Sequence, residues 1–128
     1  MKVEVSKGIE ELKRQFSTSP LTVREDGQGG AYVVIEQVSL GPKYQPQLTW
    51  IGFQIPAQYP YADIYPVFVG GDVKRTDGSA FVAPVTPGHN FEGRPAVQVS
   101  RRSGAAQNGL QKVTGKILKV LDFLEKLP

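Results

Sequence analysis

The side chains able to do chemistry in this chain gather late in the sequence. His89 is the only histidine and Asn90 follows it. Gly93-Arg94-Pro95-Ala96-Val97-Gln98-Val99-Ser100 comes next, then Arg101-Arg102. An imidazole moves protons only when a partner lies within hydrogen-bond reach. Pro87, Gly88 and Gly93 bracket His89 and place it in a loop, where a single histidine is first of all a polar surface residue. There is no cysteine, so this sequence has no disulfide, zinc–thiolate site or thiol chemistry. One histidine cannot form a metal-ligating pair, and Asp63, Asp72 and Asp77 lack ligand spacing. Neither a metal nor a cofactor is expected. No serine sits in a Gly-x-Ser-x-Gly elbow, so a serine–histidine pair stays open without specific support. Gly27-Gln28-Gly29-Gly30 and Gly70-Gly71-Asp72 carry no Gly-Lys-Ser/Thr and open no helix. Both read as turns rather than phosphate loops.

The chain has 128 residues, of which 40% are hydrophobic and 21% charged, and a formal charge of +3. Such a composition is ordinary for a soluble globular protein. The length suits one domain, residues 1–128, with a core that needs no staples. The lack of cysteine agrees with a cytoplasmic address. No signal peptide or transmembrane run is visible, so no membrane partner is expected. From Gly93 onward the basic residues are Arg94, Arg101, Arg102, Lys112, Lys116, Lys119 and Lys126, against Asp122 and Glu125. Scattered helix lysines read as a solvated face. Nucleic acid is a second reading of that charge. It is set aside because no aromatic residue interleaves with the loop arginines to stack bases. An acidic protein partner fits the same charge.

The elements that must position these residues are legible from periodicity. Val5, Ile9, Leu12 and Phe16 make an apolar stripe on a helix from about Ser6 to Phe16, weakened at Gly8 and ended before Pro20. Leu21 to Arg24 alternates as a short strand, and Asp26-Gly27 with the following glycines makes a turn. Ala31 to Leu40 is a second, β-branched strand. Thr49 to Ile55 is a third, with Ile51, Phe53 and Ile55 on one face and Trp50, Gly52 and Gln54 on the other. Trp50 is either a contact residue or covered by a flanking helix. Val67 to Val69 is a short fourth strand. Residues 70–109 show little periodicity but keep apolar anchors, which predicts an ordered, functional loop. Leu110, Val113, Ile117, Val120, Leu121 and Leu124 give a closing helix from about Gly109 to Lys126. The expected class is α+β: an N-terminal helix, a four-stranded antiparallel meander, a long loop and a C-terminal helix, with the helices on one face of the sheet.

That order of elements resembles the ubiquitin-conjugating enzyme family, and more closely its prokaryotic branch from bacterial ubiquitin-like conjugation operons. Ile55-Pro56-Ala57-Gln58-Tyr59-Pro60 through Pro66-Val67-Phe68 is similar to the family's Pro-x-x-Tyr-Pro … Pro-x-Val-x-Phe stretch, with Phe68 early. His89-Asn90 resembles the His-Pro-Asn motif without its proline. Gly93-Arg94-Pro95-Ala96-Val97 resembles the Gly-x-x-Cys-Leu that presents the catalytic cysteine, and Ser100-Arg101-Arg102-Ser103 a Ser-Arg-Arg/His run of some bacterial members. The family's asparagine lies eight residues before its cysteine, whereas Asn90 lies six before Ala96.

The resemblance implies a UBC-like fold with residues 70–109 as its active-site loop. It implies a transferase that takes a ubiquitin-like protein from an activating enzyme as a cysteine thioester and passes it to an amine. Its site would be Ala96 at the nucleophile position, His89 or Asn90 as oxyanion donor, and Arg94, Arg101 and Arg102 as binding residues that would favour a thiolate. Its partners would be the ubiquitin-like protein, the activating enzyme and a deconjugating peptidase. The first-helix face with Lys7, Glu11 and Arg14 could dock the activating enzyme. Alanine is no nucleophile. Three explanations fit: an alanine replacing a cysteine, a non-catalytic variant acting as a ubiquitin-like-protein adaptor, or an alignment with Ser100 or Ser103 at the nucleophile position.

Overall fold

Residues 1–102 and 112–128 are described in the computed structural model. Helix α1 spans Val3–Gln15 and buries Val5, Ile9 and Leu12. It begins before Ser6, and the Lys2 N–H donates to Gly29 O at 2.9 Å, tying its start to the first β-turn. Thirteen residues make a marginal helix in isolation. Burial of the apolar stripe, not propensity, holds it. Because α1 starts at Val3, Gly8 lies beyond the first turn, where a Cβ would lie 3.1 Å from the Tyr59 ring and from Val113.

Among the described residues eight strands follow: β1 (Leu21–Glu25), β2 (Ala31–Ser39), β3 (Tyr44–Gln45), β4 (Leu48–Ile55), β5 (Val67–Gly70), β6 (Lys74–Arg75), β7 (Val85–Phe91) and β8 (Arg94–Val99). Helix α2 (Val113–Lys126) closes the fold. The four expected strands do form the meander β1-β2-β4-β5, and the sheet continues antiparallel to β8 and then β7. β3 and β6 make a separate two-stranded pair. Both helices pack on one face of the sheet, where Val33, Ile35, Ile51, Phe53, Ile55, Val97 and Val99 meet Val5, Ile9, Leu12, Ile117, Val120 and Leu124.

Two tyrosines fasten α2 at its ends. The Val113 N–H donates to Tyr59 Oη at 3.0 Å, and Tyr44 Oη donates to Leu124 O at 2.6 Å. Both phenols are buried, and desolvation pushes both above the ordinary tyrosine range. Beyond the helix, Lys43 Nζ donates to Leu127 O at 2.7 Å and the Arg75 guanidinium donates to Pro128 O.

The expected long active-site loop is instead largely a hairpin. β7 and β8 pair through Val85↔Val99, His89↔Ala96 and Phe91↔Arg94, with a register shift between Thr86 and His89. The two-residue connection is Glu92-Gly93, with φ of 49° and 77°. That is the type I′ sense that suits a twisted hairpin. Asparagine or aspartate usually takes the first position of such a turn, so glutamate hides the signal. Pro84, Pro87, Gly88 and Pro95 also interrupt the period of two. β7 tolerates Pro87 because it is the sheet's last strand. The expected helix start at Gly109, with Leu110 and Ser103, lies outside the described residues. Among the described residues no helix is long and apolar enough to cross a membrane.

Candidate functional site

On the side of the sheet away from the helices, alternation places Tyr32, Val34 and Glu36 of β2, Trp50 and Gly52 of β4, Phe68 of β5, Ala96 of β8, and His89 and Phe91 of β7 on one face. The tip of the β7–β8 hairpin folds back over this face. Phe91, from an edge strand, stacks on Phe68 at a centroid distance of 5.0 Å and on Trp50 at 6.2 Å, and meets Tyr32 edge-on at 6.2 Å. Gly52 makes the recess: a Cβ there would lie 2.7 Å from the Phe91 ring. Two arginine–carboxylate pairs fasten the tip. Arg24 of β1 donates to both Glu92 oxygens at 2.7 and 2.8 Å. Arg94 donates to both Glu36 oxygens at 3.2 and 2.8 Å and lies 5.4 Å over the Trp50 ring. Arg24 holds the Glu92 carboxyl below the usual carboxylate range, and Glu36 raises Arg94 above its ordinary value. Glu92 is held in a left-handed conformation that side-chain-bearing residues rarely adopt, and there its carboxylate reaches Arg24. Beside the tip, a groove of about 510 Å³ is lined by Glu36, Leu48, Trp50, Asp72, Arg94 and Pro95.

Ala96 is therefore no loop residue. It lies in β8 between Gly70 of β5 and His89 of β7, is 1% exposed, and packs with Val34 and Phe91. An expected loop position is a sealed strand position. The expected oxyanion donors divide. His89 shares the face of Ala96, but its Nε2 is 3.1 Å from Thr86 Oγ1. Asn90 is opposite Pro95 and exposed, so alternation turns it to the other face. Ser100 is half-buried, and its Oγ accepts from Gln98 Nε2 at 2.7 Å.

The three expected binding arginines do not converge on Ala96. Arg94 is engaged with Glu36 at one end of β8. Arg101 and Arg102 follow the other end, roughly 20 Å along an extended chain. Arg101 lies 4.6 Å over the Phe123 ring of α2, and Arg102 lies 3.8 Å over the Tyr65 ring. Aromatic residues remote in sequence thus do accompany these arginines, contrary to the expectation from their neighbours. Lys116, expected on a solvated face, is 6% exposed. Its ammonium is 3.3 Å from Asp63 and donates to Arg101 O at 2.6 Å. Burial lowers its pKa, and Asp63 opposes that shift.

Trp50 lies under the hairpin and not under a helix. Phe91, Glu92, Tyr65 and Phe123 carry no site signal in their local sequence, yet Phe91 and Glu92 hold the hairpin tip and Tyr65 and Phe123 lie under arginines. Phe91 and Arg94 flanking a two-residue turn, with Val97-Gln98-Val99 alternating after it, were the available hairpin signal. Among the described residues no three His, Cys, Asp or Glu side chains gather to hold a metal ion. Comparison with family models, curated proteins and solved structures returns no match.

Proposed function

We propose that this chain is a ubiquitin-conjugating-enzyme-like domain that binds a ubiquitin-like protein without carrying it as a thioester. Support for the relationship comes from the order helix, four-stranded meander, Tyr59-Pro60 to Tyr65-Pro66 segment and closing helix, with both helices on one face. One observation carries the non-catalytic form of the reading. Position 96 is 1% exposed in a strand bonded on both sides, beneath Phe91. A nucleophile there cannot meet the C-terminus of another protein while the hairpin is docked. In this reading the activating enzyme and a deconjugating peptidase belong to the same system. The exposed α1 face around Lys7 and Arg14, which lines an open cleft with Val3 and Glu10, is where the activating enzyme would dock.

The test pairs the protein with ubiquitin-like proteins and activating enzymes from bacterial conjugation operons. Titration calorimetry is expected to detect a non-covalent complex with the ubiquitin-like protein. Ala96→Cys with ATP and activating enzyme is expected to give no adduct that dithiothreitol removes. A reducible adduct would establish the acyl-transfer reading instead, and absence of any complex would remove the adaptor reading.

A further inference from the structure

Arg24 and Arg94 are each committed to a carboxylate of this chain. Arg101 and Arg102 are not: among the described residues both are exposed and neither lies within ion-pair distance of a carboxylate. Each is nevertheless fixed. The guanidinium carbon of Arg101 lies over the Phe123 ring at 4.6 Å and that of Arg102 over the Tyr65 ring at 3.8 Å. Stacking uses the face of the guanidinium and leaves its in-plane N–H donors available. The backbone beneath is fixed as well, because the buried Lys116 ammonium donates to Arg101 O at 2.6 Å while pairing with Asp63. Lys119 stands four residues before Phe123 on α2, on the same helix face, and both Lys119 and Arg101 repel Lys116.

We propose that Arg101 and Arg102, held over Phe123 and Tyr65 with Lys119 beside them, dock an acidic peptide segment of a partner protein. A stacked guanidinium has already lost much of its side-chain freedom, so less is lost when it binds a carboxylate in bidentate fashion. Lys116 with Asp63 supplies the rigid floor rather than a binding charge. The same stacking disfavours single-stranded nucleic acid, since the ring faces on which bases would stack are covered by the guanidinium groups. The site stands on this geometry alone and does not depend on any relation to ubiquitin-like proteins.

The test uses the whole chain and a fluorescein-labelled peptide of about twelve residues, half of them glutamate, read by fluorescence anisotropy. Measurable binding is expected, weakening at least about fivefold between about 50 and 300 mM NaCl as the charges are screened. Replacing both Arg101→Gln and Arg102→Gln is expected to weaken it about tenfold or more, and Arg102→Lys about threefold, because an ammonium lacks the planar fork. Lys126→Gln, whose ammonium pairs with Asp122, is expected to change nothing. Circular dichroism of the variants verifies the fold, which exposed side chains do not hold together. Absence of peptide binding near 1 mM, or equal binding by the double variant, would overturn the proposal. So would tighter binding of an oligo(dT) of equal charge.

Discussion

A single cysteine introduced at position 96 makes the docking of the hairpin measurable. The chain has no other thiol, so Ala96→Cys reports one site. Cysteine behaves as a small hydrophobe and adds one sulfur next to Val34 and Phe91. With position 96 at 1% exposure, a chromogenic aryl disulfide reaches the thiol only after the hairpin tip lifts. Lifting exposes Phe91, now 7% exposed. Exposing a buried phenylalanine costs about 1.5–3 kcal/mol, and losing its aromatic neighbours costs about 0.5–1.5 kcal/mol more. The total is about 2–4.5 kcal/mol before the two ion pairs are counted. At about 1.4 kcal/mol per factor of ten, labelling should be slowed roughly thirtyfold to sixteen-hundredfold. The reference is Asn90→Cys, an exposed position on the same hairpin, labelled under identical conditions. Urea below the unfolding transition should narrow the gap. Equal labelling rates for the two variants would show that position 96 is open to solvent and would refute the reasoning.

Three further outcomes follow from the same contacts. Arg24 lowers the pKa of Glu92, so the contact is at full strength above the ordinary carboxylate pKa and is lost as pH falls through the lowered one. Fluorescence of Trp50, the sole tryptophan and a neighbour of Phe91, should change on acidification from about pH 6 to 2. Glu92→Gln should show the altered signal already at neutral pH, and a titration identical to wild type would exclude that contact as the cause. Tyr59→Phe removes the acceptor for the buried Val113 N–H and should cost about 1–3 kcal/mol in urea unfolding. An unchanged midpoint would mean the phenol does not hold the start of α2. Asp63→Asn removes the carboxylate facing the Lys116 ammonium, 6% exposed, and should cost about 3 kcal/mol, whereas Lys116→Met leaves the more exposed Asp63 carboxylate, at 17%, and should cost less. The reverse ranking in urea melts would count against that account.

Periodicity reads well where the large aliphatic residues recur on the side that faces the main core. Ile51, Phe53 and Ile55 alternate with Trp50, Gly52 and Gln54, and β4 sits where that pattern puts it. The stripes of α1 and α2 are legible for the same reason. The β7–β8 hairpin is not legible because its tip is held by long-range contacts. Phe91 fills a recess made by Gly52, and Glu92 accepts an unfavourable backbone geometry for Arg24. Neither partner is near in sequence. The same contacts hide the true setting of Ala96: residue types around it suit a loop nucleophile, but pairing with Gly70 and His89 buries the position. Arg101 and Arg102 are exposed, and the rings beneath them come from elements that local sequence does not connect.

The bond between Arg24 and Glu92 joins residues 68 positions apart and ties the first strand of the sheet to the hairpin that follows all the others. Closing so long a stretch of chain costs entropy that only later contacts return. It requires β2, β4 and β5 to be in register already, because Phe91 beside the tip packs on Tyr32, Trp50 and Phe68 of those strands. Docking of Phe91 beside Trp50 accordingly belongs to the end of folding. In a refolding experiment the tryptophan signal should mark completion of the sheet, trailing the far-ultraviolet signal of its strands and helices.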